Sequence, residues 1–144
     1  MPVIKYDPKK VIVSYGGVPI TGFAETFISI TQPNDTFVKK VGADGEVGRS
    51  RSNDQTNEVT ITLMSTSKSN AYLALMHAAD KASNAGALPL LITDRSEGGC
   101  LFFWDAAWIK KNPDLEKGKE VNDIAWVFDT GQPVSSIISS PVQK

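Results

Sequence analysis

The segment that most constrains the fold is the alternating run Glu58-Val-Thr-Ile-Thr-Leu-Met64. Val59, Ile61 and Leu63 alternate with a carboxylate and two hydroxyls, and successive side chains of a β-strand point to opposite faces. A chain with this pattern can separate its apolar from its polar side chains only in an extended conformation. The run therefore predicts a strand with one buried and one polar face.

The same alternation recurs along the chain. Residues 25–31 place Thr26, Ile28 and Ile30 on one face, and residues 120–130 alternate in the same way. Strands with one polar face are typical of antiparallel sheets. The predicted fold class is mainly β: an antiparallel sandwich or small barrel with one packed α-helix and a long extended loop. Further strands are predicted at 11–15, 36–41, 88–93, 100–109 and 134–138.

The two-residue alternation of apolar side chains ends after residue 64, and a helix is predicted over about 68–84. Ser67 or Ser69 suits its N-cap, because a serine hydroxyl accepts a hydrogen bond from the free backbone N–H groups there. Asn84-Ala-Gly86 supplies the stop signal. The apolar stripe of this helix is predicted to contain Tyr72, Leu75, Met76, Ala79 and Ala82.

Residues 42–57 interrupt the strand pattern. They contain three glycines and Val47 as the one large apolar residue, so they offer no core face. We predict a long loop or an extended polar hairpin. Such long segments in compact domains usually serve a function.

The 144 residues suit one domain, predicted to span 1–144. Lysine and arginine total 15 and the acids 16, for a net charge of −1. That balance argues against nucleic-acid binding and permits self-association. The single cysteine favours synthesis in the cytoplasm, and no run reaches the roughly 20 apolar residues of a membrane span.

No catalytic constellation emerges. His77 is expected on the helix surface or half-buried, and Cys100 as a buried small apolar residue. The glycines at 42, 45 and 48 lack a following Gly-Lys-Ser/Thr, and the acids of this segment lack EF-hand spacing. We therefore expect no enzyme activity, no cofactor and no metal. Trp104 and Trp126 are expected in the core, with Trp108 at an interface as a minority alternative.

The strand edges predicted from the sequence favour self-association of the chain. The amphipathic strands at 25–31 and 58–64 have no evident proline or inward charge to protect their edges from other chains. Edges that pair with copies of the same chain, head to tail, close into a ring.

The order of features resembles the tail tube proteins of contractile-tailed bacteriophages. The resemblance lies in Gly42-Ala-Asp-Gly-Glu-Val-Gly-Arg-Ser50 up to Asp54, then Val59-Thr-Ile-Thr-Leu63, then Thr66-Ser-Lys-Ser-Asn-Ala-Tyr-Leu-Ala-Leu75. That family shares its fold with the tubes of R-type pyocins and of the type VI secretion system. The resemblance implies six subunits to a ring, inner strands joined into a lumenal barrel, and rings stacked into a tube that conducts DNA without binding it specifically.

The resemblance also implies roles for particular residues and partners. Lys39 and Lys40 fall at the end of a candidate lumenal strand, where cations are unexpected. Besides itself, the chain would meet sheath, tape measure, baseplate and tail terminator proteins in a virion tail. The residues implied to line the lumen are Glu25, Ser29, Thr31, Glu58, Thr60 and Thr62. Those implied at subunit or ring interfaces are Asp44, Glu46, Val47, Arg49, Arg51 and Asp54.

Three alternatives stay open. The chain is a tube protein of a phage-tail-like secretion or pyocin particle, a monomeric ligand-binding β-domain, or an enzyme that uses His77 and Cys100. Genomic neighbours separate the first, and the oligomeric state separates the second. The third requires an activity that is lost when both residues are replaced.

Overall fold

The computed structural model describes residues 8–96 and 99–138 of the chain. Within those ranges it contains ten strands, one α-helix and a short 3-10 turn at Pro8–Lys10. None of the helical segments described there has the length and apolarity needed to cross a membrane. The elements are β1 (Val11–Tyr15), β2 (Val18–Pro19), β3 (Phe23–Thr31), β4 (Phe37–Val41), β5 (Val47–Arg51), β6 (Glu58–Met64), α1 (Ser69–Ser83), β7 (Leu88–Asp94), β8 (Cys100–Ile109), β9 (Asp123–Thr130) and β10 (Pro133–Ile138).

Eight of these strands form one antiparallel sheet, which confirms the predicted fold class. Its order is β2-β1-β7-β8-β9-β6-β3, and β10 joins it by pairing with β8. β8 has partners on both edges. It pairs with β7 along one edge; along the other it pairs first with β10, through residues 100–104, and then with β9, through residues 107–109. The sheet folds over at β8, so that the strands on its two sides face each other. Tyr15 of β1 and Phe128 of β9 accordingly have ring centroids 5.1 Å apart, although these two strands are not hydrogen-bonded to each other.

The core lies between the two layers that this fold creates. Val59, Ile61 and Leu63 of β6 are fully buried, as their alternation predicts. β9 contributes the next row of inward side chains, and Trp104 of β8 and Trp126 of β9 are both buried, as expected. The other members of the buried cluster include Val13, Tyr15, Leu73, Leu90, Ile92, Ala107, Ile109, Ile124 and Phe128.

The prediction for β3 is wrong at its N-terminal end. The register against β6 breaks between Phe23 and Ile28, so the strand bulges there. Ile28 and Ile30 are half-buried as predicted, but Thr26 is exposed. The extra residues in the bulge interrupt the strict alternation on which the prediction relied.

The helix bounds are close to prediction, but its buried face is not. The buried positions are Ser69, Leu73 and His77, with Tyr72 and Met76 packed beside them. The predicted stripe is therefore rotated: Leu75 is 62% exposed, and Ala79 and Ala82 are exposed as well. The sequence was ambiguous because α1 carries leucine or alanine on every side.

The ends of the helix differ in how well they follow the sequence signals. The N-cap is Lys68 rather than Ser67 or Ser69, and it makes no side-chain capping bond. The Ser67 hydroxyl nonetheless accepts a hydrogen bond from the Ser69 N–H at 3.2 Å. At the other end Asn84 adopts the left-handed conformation with φ 57°, as the stop signal predicts.

Residues 36–57 differ most from the predicted strand arrangement. Phe37–Val41 does not resume the main sheet but pairs with Val47–Arg51 in a separate two-stranded sheet. Of the two conformations predicted for 42–57, the extended hairpin is confirmed, and its first strand lies before that segment. Lys39 and Lys40 therefore lie on β4 of this hairpin, which corrects their predicted place on a strand of the main sheet.

Candidate assembly surfaces

The outer face of the β3–β6–β9 layer is the first candidate surface. Ser29 pairs with Thr60 and Thr31 with Glu58 across β3 and β6, so each pair lies on one face. Thr62 follows on the same face of β6, where its neighbour on β9 is Ala125. Five of the six residues predicted to line a lumen therefore share one surface. The sixth, Glu25, lies in the β3 bulge outside the register with β6, and together with Thr31 it lines a cleft.

The charge on this outer face comes from a row of residues across β6, β9 and β8, of which only Glu58 was predicted from the sequence to lie there. Glu58 lies opposite Asp129 of β9, which in turn lies opposite Trp108 of β8. Two carboxylates directly opposite repel each other, and Lys110 Nζ compensates by approaching Glu58 Oε2 at 3.2 Å. The alternation of β9 was the signal that could have placed Asp129 on this face.

The β4–β5 hairpin is the second candidate surface, and all ten of its strand residues are exposed. Its register places Lys39 directly opposite Arg49 and Val41 opposite Val47. The Arg49 guanidinium also lies 4.2 Å from the centroid of the Phe37 ring. We call this side the basic face of the hairpin; its members are Phe37, Lys39, Val41, Val47, Arg49 and Arg51.

The predicted interface residues divide between the hairpin and its root, residues 52–57. Val47, Arg49 and Arg51 are on β5, and Asp44 and Glu46 are in the turn, where Asp44 Oδ1 accepts a bond from the Glu46 N–H. Asp54 belongs to the root. Bonds from the hydroxyl and the backbone N–H of Thr56 lower the pKa of Asp54, so this carboxylate is engaged within the chain.

Bonds to the main sheet hold the root of the hairpin. Trp104 Nε1 donates to Asn57 Oδ1 at 3.0 Å, and the Asn57 N–H donates to Thr130 Oγ1 at 3.0 Å. Gln132 adds two contacts: its Oε1 accepts from the Gln55 N–H and its Nε2 donates to the Asn53 carbonyl. The hairpin is thus exposed at its strands but anchored at its base.

The third candidate surface is an open cleft of about 710 Å³ beside β3. Its apolar lining includes Ile92 and Phe102 from the other layer. Glu25 and Asp94 bring carboxylates to it, and the described lining residues include no lysine or arginine. Other residues of the lining include Phe27, Ile28, Ile30, Thr31, Cys100, Ser136 and Ile138. We call this surface the β3 cleft.

Residues 12–137 match the family model described as the Bacteriophage PhiTE tail tube protein. The chain belongs to this tail tube family. The resemblance seen in the sequence is thereby confirmed. Structural protein ORF10 of Pseudomonas phage KPP10 is a relative of this tail tube family member, with 33% identity over 112 residues. The match covers 76% of the chain and 64% of that relative, so the chain spans less than two thirds of the relative's length.

The fold has a counterpart among solved structures. The anti-feeding prophage cap, described as a tube terminating cap and determined by cryo-EM, superposes with a TM-score of 0.65 at 12% identity. The match covers 96% of this chain and 95% of that one. At this low identity, the likeness shows that the two proteins share a fold.

The two residues weighed for chemistry have structural settings in this tail tube family member. His77 lies on the buried face of α1, not at the surface. Among the described residues its Nδ1 has no hydrogen-bond partner. Cys100, expected as a buried small apolar residue, packs against the core but is only half-buried and lines the β3 cleft. Burial and the nearby Asp94 carboxylate raise the pKa of its thiol, which disfavours the nucleophilic thiolate.

Proposed function

We propose that this chain is a structural virion protein that assembles with itself into stacked hexameric rings, the inner tube of a phage tail and the conduit for DNA ejection. The observation that supports this most is the exposed hairpin. Phe37, Val41 and Val47 are 45%, 55% and 61% exposed, although the hairpin is anchored at its root. Exposed apolar side chains on an ordered projection are typical of an interaction surface.

We further propose that the outer face of the β3–β6–β9 layer lines the lumen, through Ser29, Thr31, Glu58, Thr60 and Thr62. Hydroxyls and carboxylates offer no counter-charge to DNA phosphates, whereas free lysines would bind them. The cation beside this face, Lys110, is paired with Glu58. Glu25 is left out of this proposed lumenal set because it lies in the β3 bulge, outside the register with β6, whereas Thr31, which also lines the β3 cleft, stays paired with Glu58.

The remaining proposals follow from membership of a structural family. We propose that residues 1–144 act as one tail-tube-like unit without enzymatic activity, made in the host cytoplasm and located in the virion tail. Its partners would be other copies of itself and the sheath, tape measure, baseplate and tail terminator proteins of a contractile tail.

The decisive test compares the wild-type chain with one whose hairpin is shortened. Replacing residues 38–50 by a tight turn keeps the root and its bonds to Trp104, Thr130 and Gln132. We expect wild type to form rings or hollow tubes in negative-stain electron microscopy, and the shortened variant to stay a folded monomer by circular dichroism and sedimentation. A wild type that remains monomeric alone and with the other tail components of its phage would contradict the proposal.

A second experiment tests the lumenal face. We expect Ser29→Lys with Thr60→Lys to leave tube assembly intact and to slow DNA ejection, because two unpaired ammonium groups then meet the phosphates. Ala79→Lys, on the exposed side of α1, is the matched control and leaves ejection unchanged. Slow ejection that recovers at high salt supports the assignment, and ejection at the wild-type rate overturns it.

One alternative retains support from a specific observation. The fold shared with the anti-feeding prophage tube terminating cap also suits a tube or cap protein of a phage-tail-like particle. A cap ends a tube, so such a protein would form single rings that do not stack. The same micrographs therefore separate a capping ring from a stacking tube.

A further inference from the structure

We propose that the β3 cleft of one copy receives the β4–β5 hairpin of a second copy, head to tail. The proposal rests on the self-association proposed above and names the receiving surface for the hairpin. It brings together two surfaces that residues 8–96 and 99–138 leave uncovered: an apolar cleft with acidic residues and an exposed hairpin with basic ones.

The apolar parts of the two surfaces match. The cleft reaches core residues Ile92 and Phe102, which are 1% and 8% exposed, so its floor is continuous with the hydrophobic core. On the basic face of the hairpin, Val41 and Val47 form a cross-strand pair that is exposed to solvent. Placing such a pair against an apolar floor removes both from water, which favours association in proportion to the apolar area buried.

The charges are complementary. Glu25 and Asp94 line the cleft, where the described residues include no cation. Residues 37–51 of the hairpin contain Lys39, Lys40, Arg49 and Arg51 against Asp44 and Glu46, for a net charge of +2. A basic hairpin is therefore attracted to this acidic cleft in preference to the hairpin of another copy.

The direct pairing of Lys39 with Arg49 adds an energetic reason for an acidic partner. Like charges directly opposite on neighbouring strands destabilise a hairpin, and no described carboxylate is salt-bridged to either residue. A carboxylate placed between them relieves the repulsion and gains charge-assisted hydrogen bonds. Glu25 is exposed and lies on the bulged part of β3, where it can take this role.

Backbone hydrogen bonds at strand edges offer a further contact between the hairpin and the β3 cleft. Among the described strands, β3 ends the main sheet with one edge unpaired, and each strand of the two-stranded hairpin has an unpaired edge too. Strand addition satisfies both edges and is a common mode of recognition. Because hairpin and cleft are different surfaces, the contact is heterologous and repeats from copy to copy.

Cys100 provides a reporter inside the cleft, and it is the only cysteine in the chain. We would introduce Phe37→Cys, Val41→Cys and Val47→Cys one at a time in the full chain and treat assembled samples with a short thiol-specific crosslinker at alkaline pH. We expect ladders of dimers, trimers and longer chains on denaturing gels. Leu75→Cys is the matched control, since Leu75 and Val47 are 62% and 61% exposed, and it gives no ladder.

Adding Cys100→Ser to each variant must abolish the ladder, leaving at most a dimer between two introduced cysteines. Tubes or rings that assemble without any ladder from the three hairpin positions overturn this inference and leave the proposed function standing. A wild type that never assembles contradicts the proposed function itself.

Charge exchange keeps the proposal testable if the cysteine variants assemble poorly. Glu25→Arg and Arg49→Glu should each lower the assembled fraction measured by sedimentation, and the double variant should restore it. Lys81→Glu, on the exposed side of α1, is the control and leaves assembly unchanged. Two single variants that assemble like wild type, or a double variant no better than either, overturn the pairing.

Discussion

Trp104 Nε1 donates a hydrogen bond to Asn57 Oδ1 at 3.0 Å, and this bond ties the root of the hairpin to the centre of the main sheet. Trp104 is fully buried in β8, and Asn57 is the last residue before β6. The indole N–H therefore depends on a residue from the polar segment for its partner. A core tryptophan and an assembly element are stabilised by one contact.

Removing that partner tests the link. We expect Asn57→Ala to lower the free energy of unfolding by about 1–3 kcal/mol, because a buried indole N–H is left without an acceptor. Asn53→Ala, at an exposed position of the same segment, should change it by less than about 0.5 kcal/mol. Urea unfolding followed by tryptophan fluorescence measures both. Equal stabilities of the two variants would show that the bond contributes nothing.

The buried face of α1 is tested by two leucines of the same helix. Leu73 is fully buried and Leu75 is 62% exposed. We expect Leu73→Ala to cost about 2–5 kcal/mol through lost burial and the cavity left behind. Leu75→Ala should change stability by less than about 0.5 kcal/mol. The reverse order of these two variants in thermal or urea unfolding would restore the stripe predicted from the sequence.

Alkaline pH should destabilise the fold through Tyr15. Burial raises the pKa of Tyr15 above its ordinary value, and the Asp80 carboxylate raises it further. The folded state therefore holds this proton more tightly than the unfolded chain does. Its stabilising effect is complete below the unfolded pKa of about 10 and is lost as the pH rises above that value.

The measurement is urea unfolding at a series of pH values from about 8 to 12, compared with Tyr15→Phe. The Tyr15 hydroxyl lies 2.9 Å from both the Gly86 and Ala107 carbonyl oxygens, so the variant should lose about 1 kcal/mol at neutral pH. It should also show a shallower loss of stability above pH 10. An unchanged slope would assign the alkaline loss to other groups.

Gly22 should tolerate no side chain. Its φ is +77°, and a Cβ there would lie 2.5 Å from the Ser67 Cβ and Oγ atoms. Gly17 has a similar φ of +84° but open space around it. We expect Gly17→Ala to cost about 1–2 kcal/mol from the left-handed backbone alone, and Gly22→Ala to cost clearly more. Equal costs in urea unfolding would mean that Ser67 moves aside freely.

Local patterns along the chain were enough to predict which residues share a face and where several elements end. The alternation in β6 identified Val59, Ile61 and Leu63 as core residues, and Asn84 marked the end of α1. These predictions hold because they depend on the geometry of neighbouring residues in the chain. The family resemblance came from the same local patterns taken in order.

Which faces are covered and which strands pair depends on contacts between distant parts of the chain. Leu73 rather than Leu75 is buried because the sheet meets that side of α1, and apolar residues on both sides gave the sequence no preference. Phe37–Val41 pairs with β5 and not with β6, because both edges of β6 are already paired, with β3 and with β9. Likewise, the bulge in β3 takes Glu25 out of the register with β6, since cross-strand register depends on residues far apart in the chain.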